Sequence, residues 1–494
     1  MSLDPRTPIL VGGGQISNHD GGIEPVDLIA DAATAASAEA GSKRLLTRID
    51  SIRLVRMLSW KYRNAGALVA DRIGAPAVHT ATTGDGGNCP QSLVSAAAAD
   101  IVAGRSAAVL VAGAESWRTR MKLRANGDRP AWTMQGDDVD PPELAVADVP
   151  MVFDSHKRIG LDRPAYVYPL FEEALRASLG RGVDEHRAVI GELWSRFADV
   201  AVSNPNAWLR KEYSAASITT PSAENRWISR PYTKLLNSNN MVDQAAAVIV
   251  CSVGLATELG ISRDNWVFLH SAADAHDTYD IAERERLDCS AAIRVAGARV
   301  LEAAAVDIGD MGMVDLYSCF PSAVQVAARE LGLPVDDPAV PLTVTGGLTF
   351  AGGPWNNYST HAIATMTSAL RRSPDEMGLV TANGGYLTKH AMGVYGAKPP
   401  RELFRHLDVQ AEVDRHPTVS ARNDYEGLAR VESYSVAHGR DGEPERAFIS
   451  VRTPDDGRAL VGTDRPEHLG ALIDTDFIGA GIRVGASGFV DGLE

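Results

Sequence analysis

The sequence predicts an α/β protein with buried sheets, a polar insertion in its first half and a small β-rich domain at its C-terminus. Three observations carry this. Apolar strands alternate with Ala-rich helices over residues 1–118 and again from about residue 241 to 400. Residues 119–240, between them, are polar and Pro-rich, with amphipathic helices. After "GAKPPRE" the chain turns to short alternating strands and turns such as "GRDGEP" and "TPDDGR".

The elements follow in order. "PILVGGGQIS" is an apolar strand ending in glycines, and "PVDLIADAATAASAEAG" is a helix stopped by Gly41. "IDSIRLVRML" reads as a strand and "NAGALVADRIGA" as a helix. A helix from Pro90 to Ala103 and the strand "SAAVLVAGAES" complete this part. "AYVYPLFEEALRASLGRG" and "DEHRAVIGELWSRFADVAVSNP" are the helices of the insertion. The strand–helix rhythm resumes with "DQAAAVIVCSVGLATELG". It continues through "NWVFLHSAAD", "AAIRVAGARVLEAAA", "GMVDLYSCF" and "SAVQVAARELG". This gives an N-terminal half (1–118 with 241–264), an insertion (119–240), a C-terminal half (265–400) and a final domain (401–494). "ARVESYSVAH", "ERAFISVRT" and "GIRVGASGFV" make that final domain most simply an OB-like β-barrel.

Bulk properties narrow the function. The 494 residues carry a net charge of −15, which argues against a nucleic-acid partner and against anionic membrane surfaces. No run of about 20 apolar residues is present to span a membrane, and "MSLDPRTPILVGGGQ" lacks the pattern of a signal peptide. Cys89, Cys251, Cys289 and Cys319 are scattered without CxxC spacing, so no metal site is expected and free thiols in a reducing cytoplasm are the simplest account. The GGG at 12–14 is not GxGxxG, and no acid ends a matching second strand, which argues against a dinucleotide.

Cys89 stands where a loop enters a helix, with Pro90 fitting the first helical position. At the N-cap its thiol would feel the helix dipole and titrate low; the alternative is a small residue packed beneath the helix start.

Five ordered segments resemble the thiolase superfamily over about residues 7–400. "SAAAADIVAGRSAAVLVAGAES" is similar to the helix and strand ending in AGGxES, and "NNMVDQAAAVIV" to the SGxNDGAAA strand. "VDLYSCFPSAVQVAARELG" is similar to the segment carrying NEAF, or HDCF in the sterol-carrier type. "TGGLTFAGGPWNNYSTHAIA" is similar to the GHP loop, and "TANGGYLTKHAMGVYG" to the final CxGGG loop. With the added C-terminal domain, the chain most resembles mycobacterial-type thiolase-like proteins. The resemblance implies a five-layer αβαβα fold of two similar halves with a loop-domain insertion. It also implies a coenzyme A (CoA) or acyl-CoA ligand, no required cofactor, a place in lipid metabolism and an acetyl-CoA acetyltransferase label. In the family, a cysteine carries the acyl group, a histidine activates it, a second cysteine moves the Cα proton, and an oxyanion hole holds the enolate.

Counting back along the helix from Gly104 puts Gly87 in the nucleophile's place, with Cys89 two residues further on. Gly353 stands where the GHP loop has its histidine, Tyr317 and Ser318 replace the first two residues of HDCF, and Cys319 matches its cysteine. Ala382–Asn383–Gly384–Gly385 lacks the second cysteine. Ordinary thiolysis or condensation is therefore not expected. The remaining candidate chemistry is Cys89, Tyr317, Ser318, Cys319 and His390, with Lys389 beside it and His361 read as a histidine on a half-buried helix. Asn239 matches a pantetheine-contacting serine, or is a turn residue in "NSNN". Arg210 and Lys211 are candidates for the nucleotide end of CoA, or a solvated surface pair. Two alternatives stay open: an active acyltransferase or other CoA-ester enzyme using Cys89 or His390, and a non-catalytic partner or scaffold whose C-terminal domain docks an acyl-CoA enzyme. Monomer and homodimer are both compatible with the sequence.

Overall fold

A computed structural model describes residues 3–76 and 78–493. The first half supplies β1 (Pro8–Ser17), β2 (Ser51–Leu54), β3 (His79–Thr83) and β4 (Ala108–Ser116). The insertion adds β5 (Glu143–Val146), β6 (Trp227–Ser229) and β7 (Tyr232–Thr233) before β8 (Asp243–Ser252) returns to the sheet. β9 (Val267–His276), β10 (Met311–Asp315), β11 (Met377–Gly384) and β12 (Lys389–Gly396) form the second half. The strand order is β10-β11-β12-β9-β1-β8-β4-β2-β3-β5. The two halves meet edge to edge where Ile9 and Leu10 pair with Phe268 and Val267.

Strand alternation explains the layers. On β4, Val109 and Val111 face one core while Ala108, Leu110 and Ala112 face another. β8 does the same, with Val248 and Val250 opposite Ala247, Ile249 and Cys251. A sheet apolar on both faces needs helices on both sides. The helices Pro25–Glu39 and Ala65–Ile73 cover one side of the first half; Cys89–Val102 and Tyr358–Arg372 lie between the halves; Ala291–Ala304 and Pro321–Leu331 cover the second half. These are the five layers of a thiolase fold. The GGG stretch has a packing role here: a Cβ on Gly12 or Gly14 would run into the carbonyl oxygen of Ala36 or Ala32 on the first helix.

The C-terminal domain contains β14 (Gly427–His438), β15 (Pro444–Arg452), β16 (Arg458–Thr463), β17 (Gly481–Val484) and β18 (Val490–Leu493), in the order β16-β15-β14-β17-β18. The two ends of this path meet at one isolated bridge, Gly462 to Phe489. The observed ladder is thus an antiparallel sheet rather than a continuously paired barrel. It is also not separate from the rest. β13 (Arg405–Asp408) pairs with β9 in the large sheet, and Ser229 of β6 pairs with Ala437 of β14. The fully buried Arg458 ion-pairs with Glu432 at 2.6 Å and donates to the carbonyls of Ile281 and Glu285 at 3.3 and 3.2 Å.

Three features differ from the sequence reading. β5 falls in a stretch read only as polar and Pro-rich; it pairs parallel to β3 through Ala81–Glu143, Thr82–Leu144 and Thr83–Val146. A helix, Pro466–Asp474, interrupts the final strands. Cys89 is the first residue of its helix and Asn88 is the N-cap.

One buried carboxylate fixes the loop that leads to the site. Asp315, at the end of β10, accepts hydrogen bonds from Thr343 Oγ1 (2.9 Å), Val344 N (3.0 Å), Thr345 Oγ1 (3.3 Å) and Tyr358 OH (3.0 Å). Burial raises its pKa from 3.8 to about 6, against the lowering effect of these four donors. An acid whose folded pKa is raised contributes fully at low pH and loses that contribution as pH rises through the folded value. On the order of 3 kcal/mol is therefore lost between pH about 4 and 6. Thermal unfolding from pH 4 to 7 tests this. Wild type exceeds Asp315→Asn in midpoint at pH 4, and the gap narrows as pH rises to 6.

Candidate active-site cleft

Four loops converge on a cleft of about 500 Å³ between the two halves and the insertion. The first half brings Asp85, Gly86 and Gly87, just before the Cys89 helix. The second half brings Tyr317, Cys319 and Phe320 from the end of β10, and Asn383 to Tyr386 from the β11–β12 hairpin. The loop ahead of the Tyr358 helix brings Gly353, Trp355 and Asn356. The insertion closes the far side with Arg163, Tyr168, Asn237, Ser238 and Asn240.

At the floor of the cleft, Gly87 has no room for a side chain. A Cβ there would run into the Tyr317 hydroxyl and stand 2.5 Å from both the Asn383 carbonyl oxygen and Tyr317 Cζ. Gly86 N donates to Asn356 Oδ1 at 3.0 Å, and Ser359 Oγ donates to Gly87 O at 3.1 Å, so this backbone is held from the opposite half. The Tyr317 ring packs edge-on against Tyr358 with centroids 5.4 Å apart. Burial raises its pKa well above the ordinary phenol value, so the hydroxyl stays protonated.

A second cluster surrounds Tyr168. Its hydroxyl accepts from Asn383 Nδ2 at 2.9 Å and Leu387 N at 3.0 Å, and donates to Gly385 O at 3.3 Å. The ring stacks on Phe320 at 4.3 Å. Asn383 Nδ2 also reaches Cys319 Sγ at 3.7 Å, and burial pushes that thiol up to about 12. Tyr168 holds the hairpin and the Phe320 segment together; in the sequence it was only one aromatic on an amphipathic helix.

The structure thus gathers Gly87, Tyr317, Cys319, Gly353 and Asn383 around one cleft and leaves the other candidates outside its lining. Ser318 is fully buried, and its Oγ accepts from Leu348 N at 3.3 Å. Asn239 is a turn residue: its side-chain oxygen accepts from Met241 N at 3.3 Å and its carbonyl from Gly353 N at 2.9 Å. His390 lies behind the hairpin, with Nε2 3.2 Å from Leu387 O and 3.5 Å from Asp277 Oδ2. Burial opposes ionisation of Asp277, but Arg284 and His390 hold its carboxyl down to about 2, so His390 is engaged in a buried polar cluster rather than in the cleft. His361 pairs with Gln15 Oε1 at 2.9 Å, and burial lowers its pKa to about 3. Arg210 donates to Val202 O at 3.4 Å and Lys211 stands over the Tyr213 ring at 5.4 Å. Lys389 donates to the Asp85 carbonyl beside Gly86, and burial lowers its pKa.

Cys89 is fully buried, with Sγ 3.5 Å from Gly84 O. Desolvation raises its pKa to about 11 and outweighs the lowering effects of Thr83 and Lys389. Burial of the sulfur thus opposes the thiolate that a helix N-terminus alone would favour.

Among the described residues, no group of three or more His, Cys, Asp or Glu is placed to hold a metal ion, and no helix is long and apolar enough to cross a membrane.

Comparison with known proteins fits this architecture. Residues 408–489 match the family model for the thiolase-like protein type 1 additional C-terminal domain. The crystal structure of a monomeric SCP2-thiolase-like protein type 1 from Mycobacterium smegmatis is 31% identical, covers 100% of both chains and superposes with a TM-score of 0.85. The chain belongs to the thiolase-like protein type 1 family. Beyond that family, the acetyl-CoA acetyltransferase structure from Syntrophomonas wolfei shares the fold at 17% identity and a TM-score of 0.56, over 79% of this chain and 99% of that one. A curated acetyl-CoA acetyltransferase from Methanocaldococcus jannaschii is 27% identical over 99 residues, 20% of this chain. The match spans only 25% of that relative's length.

Two outcomes test the site in this type 1 chain. Gly87→Ala should cost about 1–3 kcal/mol through the clash with Tyr317. Tyr317→Ala in the same chain should recover part of that, giving a coupling in a double-mutant cycle. In the folded protein, iodoacetamide should label Cys89 slowly at neutral pH, as followed by peptide mass spectrometry; fast labelling blocked by CoA would contradict the buried-thiol geometry.

Proposed function

We propose that the chain binds CoA or an acyl-CoA ester in this cleft and does not carry out cysteine-based thiolysis or condensation. The observation that carries the reading is the fit of Gly87 against Tyr317 and Asn383: the place of a nucleophilic side chain is taken by a protonated hydroxyl and a backbone carbonyl. The thiols nearest the cleft, Cys319 and Cys89, are held at about 12 and 11 and are poor nucleophiles at neutral pH. The position of the GHP-loop histidine is Gly353, which cannot act as a base toward either thiol. What remains is a largely apolar pocket with hydrogen-bonding groups at its floor, suited to holding a thioester rather than exchanging it.

Arg163 is the one Lys or Arg among the described lining residues; it stands 4.9 Å over the Tyr166 ring and pairs with Asp162 at 3.2 Å at an exposed position where a ligand anion can compete. It is a better placed partner for an anionic ligand than Arg210 or Lys211. The reading puts the protein in acyl-CoA metabolism as a binding member of its family. An acyltransferase using Cys89 or His390 is less well supported, since both are buried away from the lining.

Isothermal titration calorimetry should show one saturable CoA site, weakened about tenfold by Arg163→Ala through loss of a charge-assisted contact. Arg210→Ala with Lys211→Ala should leave the affinity within about twofold, as expected for exposed charges. Thiolysis of acetoacetyl-CoA should fall several orders of magnitude below an ordinary thiolase, because groups that act as one unit are missing together. Absence of CoA binding, or thiolysis at a normal rate, would refute the proposal.

A further inference from the structure

A second cleft, of about 760 Å³, opens on the other side of the segment that follows β2. Leu58 is the one residue its lining shares with the first cleft. Three attachments fix its walls. The backbone N–H groups of Leu58 and Ser59 donate to the buried carboxylate of Glu115, each at 2.7 Å. Arg120 donates to Leu58 O at 2.7 Å from the helix that follows β4, and Trp60 Nε1 donates to Thr133 O at 2.9 Å.

The chemistry of the lining is unusual for this chain. Arg56, Lys61, Arg63 and Arg120 line the cleft, and among the described lining residues there is no aspartate or glutamate. The whole protein carries −15, so this concentration of positive charge is a local feature. Two of the cations are already neutralised: Arg56 by Asp148 at 2.5 Å and Arg63 by Asp137 at 3.2 Å. Lys61 and Arg120 form no direct ion pair among the described residues, although the charge of Arg120 is felt by the buried Glu115. Arg120 spends one N–H on Leu58 and stands over the Trp117 ring at 5.3 Å, which leaves most of its guanidinium donors open. Most of the remaining lining is apolar, with Ser59, Tyr62, Thr82 and Thr83 interspersed. Met134 and Leu144 are 76% and 56% exposed on the rim, with Met57 and Trp60 beside them. Large apolar groups exposed together around a concave, cation-lined surface mark a candidate ligand-binding site.

We propose that this cleft is a binding site for an anionic amphiphile, a carboxylate on an aliphatic chain. The carboxylate takes the open guanidinium of Arg120 and the ammonium of Lys61, and the chain covers Met134, Leu144 and Trp60. A guanidinium fork matches a carboxylate with two parallel hydrogen bonds, and an aliphatic tail gains from leaving water. The site is independent of the CoA reading, since Leu58 is all that the two linings share.

Isothermal titration of the full chain with decanoate, below its micelle concentration, tests it, with 1-decanol as the uncharged control. Decanoate should saturate one site, with 1-decanol at least about tenfold weaker. Arg120→Gln with Lys61→Gln should remove that preference while leaving CoA titration unchanged. Leu144→Asp, on an exposed strand where folding is not at risk, should abolish decanoate binding by placing a charge on the apolar wall. Equal binding of decanoate and decanol, no saturable decanoate binding, or decanoate binding unaltered by Leu144→Asp would overturn the proposal. So would sedimentation showing that a second copy of the chain covers this face.

Discussion

The cleft depends on a carboxylate that never touches it. Asp315 sits at the end of β10, the edge strand of the second half, with no solvent, and takes four donors, three from residues 343–345 and one from Tyr358. Those bonds hold a segment whose glycines 346 and 347 take positive φ values of 100 and 76. From there the chain runs through Gly353, Trp355 and Asn356, the wall that grips the Gly86–Gly87 backbone. The same Tyr358 that donates to Asp315 packs its ring against Tyr317. A single buried acceptor therefore sets both the loop and the tyrosine that define the floor. Leaving such donors unpaired would cost more than the bonds themselves contribute, which is why the arrangement resists partial change.

The floor is also a case of mutual fit. Gly87 has no side chain because Tyr317 fills that volume, and Tyr317 can reach it because position 87 is glycine. Either residue alone would look like a substitution of no consequence. Together they put at the floor of the cleft a hydroxyl that burial keeps protonated.

Much of this was legible in the chain, for definable reasons. Strands buried on both faces write continuous apolar runs, as β4 and β8 do, and the ordered loop motifs point to Gly87, Tyr317, Gly353 and Asn383 together. Residues whose role depends on distant packing were not legible. Tyr168 joins the cleft through Asn383 and Leu387, more than two hundred residues away. β5 is four mostly exposed residues, too short to write a pattern. The sequence placed Cys89 correctly at a helix start, but a helix start lowers a thiol's pKa only where water can solvate the thiolate, and burial is not written locally. Arg210 and Lys211 carry the right charge; their distance from the lining is a tertiary fact.

The joint between the insertion and the C-terminal domain has a mechanical consequence. Besides the β6–β14 pairing, the side chain of Ser433 on β14 donates to the Leu170 carbonyl, and Ser435 Oγ donates to Tyr166 O at 3.4 Å. Both acceptors lie on the Pro164–Ser178 helix that carries Tyr168. That helix is clamped like a beam between the cleft on one side and the C-terminal sheet on the other. Removing the residues after 400 would not trim an appendage. It would take away the bearing surface beneath one wall of the cleft, so a shortened chain would report on a loosened pocket as much as on a missing domain.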